Sequence, residues 1–204
     1  MRIIGGEWGG RQLKSPRGRE VSRPTTDRVR EACASMLESA LDGGIAGSSA
    51  LDAFGGSGAL GIELLSRGAA HVTFYDIDRG AARLIGDNLS MFSCSQSRYR
   101  VFCSDVVTAA QRGRMSGAPF DVVWIDPPYD LGIEPAVKLL DALVSRSLIQ
   151  LGALVVFERS ATRTPALRLV GFDVLREKRY GITAIDMLRY NPAPMRGNKE
   201  GECA

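Results

Sequence analysis

Apolar and polar positions fall into blocks along the middle of the chain, and the blocks switch period. Short apolar runs at 50–54, 71–75, 99–103, 120–125 and 153–157 read as buried strands. Between them, 59–67, 79–91, 106–112 and 135–146 carry apolar residues at helical spacing. Two more β-rich runs, 172–178 and 182–190, flank Tyr180-Gly181 and predict a C-terminal antiparallel hairpin. Strand–helix alternation of this kind predicts an α/β fold, a Rossmann-like, doubly wound, mostly parallel seven-stranded sheet with helices on both faces.

The start of the chain follows a different pattern. Residues 2–14 alternate weakly, with Gly5-Gly6 and Gly9-Gly10 as turn or bulge points, and predict a small β-hairpin. Residues 15–26, rich in Pro, Gly and Arg, read as a surface loop. Thr26 or Asp27 can cap a helix reaching about Leu41, with Val29, Cys33, Met36, Leu37 and Leu41 on one face. The expected organisation is a hairpin-and-helix extension over 1–42, a main domain over 43–190, and a disordered polar tail over 191–204.

Composition narrows the class. The chain has 204 residues, 45% of them hydrophobic and 24% charged, as in a soluble globular domain. No apolar run nears the roughly 20 residues of a membrane span, and the first residues lack a signal peptide's apolar core. Cys33, Cys94, Cys103 and Cys203 form no CxxC pair, so no metal site or disulfide framework is expected, and a reducing cytoplasm fits. Nothing demands more than a monomer. Charge is uneven. Eight basic and three acidic residues put the first thirty positions at +5, leaving −2 on the rest. A basic arm on a near-neutral body suits a polyanion, although a solvated tail would carry the same charge.

Two stretches carry chemistry. The first, Asp52-Ala53-Phe54-Gly55-Gly56-Ser57-Gly58-Ala59-Leu60-Gly61, joins the first strand to its helix and satisfies GxGxxG through Gly56, Gly58 and Gly61. Asp76 follows Gly56 by 20 residues, where an acid can hold a ribose diol. That pattern alone does not choose between NAD and S-adenosyl-L-methionine. Asp52 favours the second, since a carboxylate would oppose a pyrophosphate but welcome a sulfonium cofactor with a cationic amine. Asp105, after the third strand, could accept hydrogen bonds from an adenine amine, or could simply cap a helix. The cofactor-binding candidates are Asp52, Phe54, Gly56, Ser57, Gly58, Asp76 and Asp105.

The second stretch is Asp126-Pro127-Pro128-Tyr129. The prolines lack N–H groups and fix φ, so the strand stops in a stiff, extended loop at a strand's carboxyl end. The loop offers a carboxylate, carbonyl acceptors and an aromatic ring, which suits a flat guest bearing an amino group. A Pro-rich turn with a capping aspartate would read the same way.

With both stretches in place, the chain resembles a class I S-adenosylmethionine-dependent methyltransferase acting on an exocyclic amine. Asp126-Pro127-Pro128-Tyr129 is similar to the [DNS]-P-P-[YFW] motif of such enzymes. The closer resemblance is to the RsmD family, bacterial enzymes that methylate N2 of guanine 966 in 16S rRNA. It rests on Arg2-Ile3-Ile4-Gly5-Gly6, Gly10-Arg11, the run Arg23-Pro24-Thr25-Thr26-Asp27-Arg28-Val29-Arg30-Glu31, the glycine loop and Ser66-Arg67-Gly68-Ala69. Gly55 departs from the family's usual alanine, and Asp76 from its frequent glutamate. The resemblance implies S-adenosyl-L-methionine as cofactor and 16S rRNA in a small-subunit assembly particle as partner. Asp126, Pro127, Pro128 and Tyr129 would be catalytic. Arg2, Arg11, Arg23, Arg28 and Arg30 would meet RNA phosphates, although any of them could instead pair with a core acid. A NAD-dependent oxidoreductase, a DNA or RNA adenine-N6 methyltransferase and a non-catalytic assembly factor are the rival readings.

Overall fold

The computed structural model describes residues 1–15 and 27–192. Residues 16–26, which hold most of the expected loop and Arg23, and the tail from residue 193 lie outside the described residues. The elements run α1 (Asp27–Ala40), β1 (Ser49–Asp52), α2 (Ala59–Ser66), β2 (His71–Asp76), α3 (Arg79–Met91), β3 (Tyr99–Cys103), α4 (Val106–Gln111), β4 (Phe120–Ile125), α5 (Glu134–Ser145), β5 (Ile149–Ser160), β6 (Phe172–Tyr180) and β7 (Thr183–Tyr190).

The seven strands form one sheet in the order β3-β2-β1-β4-β5-β7-β6. The first five are parallel, and β7 pairs antiparallel with both β5 and β6. The fold is therefore the expected Rossmann-like α/β sheet with a terminal antiparallel pair. Strand order reverses direction between β1 and β4, and open α/β sheets bind ligands outside the carboxyl ends of the strands at such a switch point. The glycine loop follows β1 and Asp126 follows β4, so the two chemical stretches flank that point.

Each face of the sheet carries its own core. On one face, Val29, Cys33, Met36 and Leu37 of α1 pack with Ile62 and Leu65 of α2, Ile85 and Leu89 of α3, and Phe74, Trp124, Val156 and Ile185 of the sheet. On the other, Leu139, Leu140 and Leu143 of α5 and Ala110 of α4 cover Val123, Val155 and Leu188. Ile3, Trp8 and Leu13 are buried in the first core, which fastens the N-terminal segment to the sheet's helices.

The N-terminal hairpin forms in short form: Arg2 bridges Gln12, the Ile3 N–H donates to the Arg11 carbonyl at 2.9 Å and the Leu13 N–H to the Met1 carbonyl at 3.0 Å. Other parts of its backbone turn to α2. The Ile4 and Gly5 N–H groups donate to the Glu63 carboxylate at 2.7 and 2.9 Å, and Trp8 N–H donates to Ser66 Oγ at 2.9 Å. Side chains of α2 thus accept N–H groups that the second arm of the hairpin does not. The fifth strand is longer than its apolar run. At its start, Gly152 takes φ 83° and the register against β4 shifts between Phe120 and Val122. At its end, Glu158 and Arg159 are buried and paired with β7, so a count of apolar positions misses them.

Candidate functional site

The glycine loop is shaped by its backbone. Gly58 caps α2 with φ 79°, and Gly56 takes φ 55°, both left-handed conformations that glycine adopts without strain. Gly55 N–H donates to the Tyr75 carbonyl at 2.8 Å, tying the loop to β2. A Cβ on Gly56 would meet nothing nearer than the Phe54 carbonyl at 4.0 Å, so the space over the loop is open to a ligand. Gly61 has the opposite reason for lacking a side chain, since a Cβ there would lie 2.2 Å from the Phe74 ring. Half-buried Phe54 packs against the α4–α5 core.

The acids stand at stepped heights. Asp52 is level with Phe74 of β2 and Trp124 of β4, so Asp76 and Asp126 each reach two residues further toward the carboxyl edge. Asp52 is buried and accepts the Gly61 N–H at 2.9 Å. Burial above all, and then the charge of Asp76, push its carboxyl up to about 7 against the pull of that hydrogen bond. Asp76 accepts Gly56 N–H through Oδ2 and Asp78 N–H through Oδ1, both at 2.8 Å. It therefore orients the glycine loop. Asp105 is the N-cap of α4 and accepts Thr108 N–H at 2.7 Å. Half-buried Ser57 reaches the start of the chain, with its Oγ 3.9 Å from Met1 Sδ.

Past β4, Pro127 is buried and Pro128 exposed, and Pro128 takes φ −50°, ψ 132°. Tyr129 opens a short 3-10 turn, and its hydroxyl lies 3.3 Å from Glu158 Oε1 and 3.0 Å from Thr183 Oγ1. The ring is thus held by β5 and β7. Cys33 of α1 faces the same place. Its thiol is pushed up by burial, then by the Glu158 and Asp126 carboxylates, with Lys178 pulling it down. The Asp126, Glu158 and Lys178 charges therefore all bear on one buried sulfur.

Sequence reasoning missed Glu158, Thr183 and Asn88. Glu158 directly follows the apolar run 153–157, as Asp76 and Asp126 follow theirs, which was a usable signal. Asn88 gave none. It is buried in α3, accepts Lys14 N–H at 2.9 Å and donates to the Ser57 carbonyl at 2.9 Å, joining the N-terminal segment to the glycine loop.

The arginines divide. Arg2 is exposed and lies 3.3 Å from the Asp27 carboxylate. Arg11 lies over the Phe92 ring at 4.5 Å and donates to the Met91 carbonyl. Arg28 is exposed on the first turn of α1. Arg30, expected at the RNA surface, is instead only 1% exposed. It donates to Asp27 Oδ1 at 2.6 Å and to the Arg2 carbonyl at 2.8 Å. Its guanidinium braces α1 against the N-terminal segment.

A separate concavity of about 450 Å3, lined by Arg114, Met115, Pro119 and Leu148, lies where β4 and β5 begin. It is at the sheet's amino end, away from every acid of the site.

A glycine loop with a buried acid, a second acid after β2 and Asp-Pro-Pro-Tyr after β4, all on a switch-point sheet, define a Rossmann-like methyltransferase with S-adenosylmethionine as its cofactor. Residues 1–189 match the family model described as Conserved hypothetical protein 95, and the chain belongs to that family, which bears out the resemblance to the RsmD enzymes. It is 39% identical to the Ribosomal RNA small subunit methyltransferase D of Escherichia coli over 142 residues, 69% of this chain and 67% of the relative. It is 33% identical to the protein of the same name from Haemophilus influenzae over 184 residues, 90% of this chain and 91% of the other. The solved structure of Escherichia coli yhhF superposes with a TM-score of 0.79 at 32% identity, covering 95% of this chain and 99% of that one.

Proposed function

We propose that this chain transfers a methyl group from S-adenosylmethionine to the exocyclic N2 amine of a guanine in small-subunit 16S rRNA, guanine 966 by family resemblance, on an assembling particle in the cytoplasm. One observation carries the reading. The Asp126-Pro127-Pro128-Tyr129 loop is rigid, offers acceptors beside a tethered aromatic ring, and flanks the switch point opposite the glycine loop.

Asp52, Gly56, Gly58 and Asp76 would hold the cofactor, with Asp52 beside its amino group and Asp76 at its ribose. When bound, the cofactor supplies an electrophilic methyl on a sulfonium. The chain's own residues do the rest. The guanine leaves its stack to present the amine, as base-modifying enzymes require. Tyr129 stacks on the flipped base, and its tethered hydroxyl keeps the ring from turning away. Asp126 and the Pro127 carbonyl accept the two N2–H bonds. Drawn out of the base plane, those bonds localise a lone pair that conjugation otherwise spreads into the ring. Alignment is the main catalytic contribution, of a kind that supplies up to about 7–11 kcal/mol. The methylated amine is cationic, so its proton leaves to Asp126 or water without a strong base. Arg2, Arg11 and Arg28 meet RNA phosphates, which position the substrate rather than specify it.

The test is methyl transfer from labelled cofactor to small-subunit particles lacking the modification, with mass mapping of the product nucleoside. N2-methylguanine at one site is expected. Asp126→Ala should lower the rate by about 10²-fold or more while cofactor affinity persists, since misplacing the amine costs that much. Label in N6-methyladenine or in DNA would overturn the substrate assignment.

A further inference from the structure

The C-terminal hairpin carries a charge pattern that the site so far leaves without work. After the irregularity between Val174 and Arg176, β6 pairs Arg176 with Met187, Lys178 with Ile185 and Tyr180 with Thr183. Side chains alternate across a strand, so Arg176, Lys178 and Tyr180 share the face of Met187 and Ile185. Those two belong to the core that α1 covers. Arg176 and Lys178 are exposed and make no hydrogen bond or ion pair among the described residues. Glu177 points to the other face, where it pairs with Arg168. The acid in this run therefore does not neutralise the two cations.

Register ties this face to the reaction loop. Ile185 is opposite Lys178 on one side and Glu158 of β5 on the other. The pairing of β5 with β4, continued by one residue past Ile125–Phe157, brings Asp126 beside Glu158. Lys178 and Asp126 thus lie in one row across four strands, three steps of roughly 4.8 Å, or about 14 Å apart. The charges around Cys33 independently include both groups.

We infer that Arg176 and Lys178 form a docking face for the RNA backbone on the β6 side of the Asp126 loop, distinct from the N-terminal segment. The inference rests on the proposed rRNA substrate and adds where that RNA is gripped. A base flipped toward Asp126 has flanking phosphates on both sides of the loop. The N-terminal Arg2 serves one side, and β6 supplies the cations for the other. Lysine and arginine on a strand face, free of acidic partners, are chemistry suited to phosphate.

The experiment uses the full chain. Binding to a small-subunit rRNA fragment is followed by anisotropy across a salt series for wild type, Arg176→Gln/Lys178→Gln and the control Arg112→Gln, whose side chain is exposed just after α4 at the amino edge of the sheet. The double variant should bind RNA several-fold more weakly. Its log–log salt slope should be shallower by roughly 0.7–0.9 for each phosphate that is no longer neutralised. The KM for RNA should rise with kcat nearly kept, and cofactor affinity by calorimetry should not move. The control should match wild type in every readout. Wild-type affinity and slope in the double variant would overturn the docking face while leaving the rRNA reading intact. A wild-type chain without RNA affinity would overturn both.

Discussion

Asp52 shows how a single environment sets a charge. Its carboxyl is pushed from 3.8 to about 7 on folding. Between those values the folded chain holds a proton that the unfolded chain releases. Its contribution to stability is therefore full below about pH 4 and is lost as pH rises through 7. A cationic cofactor group favours the ionised form. Cofactor binding below pH 7 should accordingly release a proton, with the release fading at higher pH. Calorimetry in two buffers of different ionisation heat measures it. Asp52→Asn should abolish the release, weaken the cofactor, and make apo stability less dependent on pH between 4 and 7. Unchanged proton release in the variant would remove Asp52 from the cofactor site. At this scale the sequence revealed residue types more reliably than their employment. Asp105 was legible both as ligand and as cap, and the cap is what its geometry displays. Arg30 looked like its exposed neighbours because a charge run does not announce which member turns inward.

At the scale of elements, the N-terminal segment and α2 behave as one unit. Glu63 is buried beneath two backbone N–H groups and the Arg67 guanidinium, 2.8 Å away. Gly6 sits at φ 76°, and a Cβ there would lie 2.0 Å from the Ser66 carbonyl. Gly6→Ala should therefore cost at least about 1–3 kcal/mol and release protection of the Ile4 and Gly5 amides in hydrogen exchange. Gly55→Ala is the contrast. Its backbone is ordinary, and its Cβ would press at 2.7 Å on Ile85 Cδ1, the far end of a side chain that can turn. A loss below about 1.5 kcal/mol is expected, measured by thermal unfolding. The helices and parallel strands were legible because periodicity records burial. The N-terminal segment was legible as a short hairpin but its seating was not, because α2 lies some 60 residues away and the Ile4, Gly5 and Trp8 N–H groups end on its side chains. Even so, Gly5-Gly6 and Ser66-Arg67-Gly68-Ala69, two distant blocks of the family resemblance, prove to touch in the fold.

For the whole molecule, the sheet's parallel half was readable from apolar runs alone, and the antiparallel half only in outline. The reason is a buried polar joint. Arg159 Nε and Nη2 meet Asp186 Oδ2 and Oδ1 at 2.7 and 3.0 Å, and Asp186 also accepts Leu167 N–H at 2.9 Å. Charged letters inside strands look like surface until their partners are placed. The joint fastens the hairpin and the 161–169 loop to the parallel strands. Asp186→Ala should cost about 3–5 kcal/mol by leaving the guanidinium buried and uncompensated. Chemical denaturation should show that loss, and a change below about 1 kcal/mol would mean the joint is not what holds the hairpin.

The hairpin also ends the sheet, and that position has a consequence of its own. β6 offers nine residues of outer backbone, with N–H and C=O groups that a strand from another molecule could pair with. Val174 and Leu175, each 38% exposed, would make such a meeting adhesive. The pairing irregularity beside them and the cations at Arg176, Lys178 and Arg179 are the devices by which native edges repel copies of themselves. The same side chains thus keep neighbouring copies of the chain apart in a crowded cell, and a surface drawn toward polyanions is, by the same charge, turned away from its own kind.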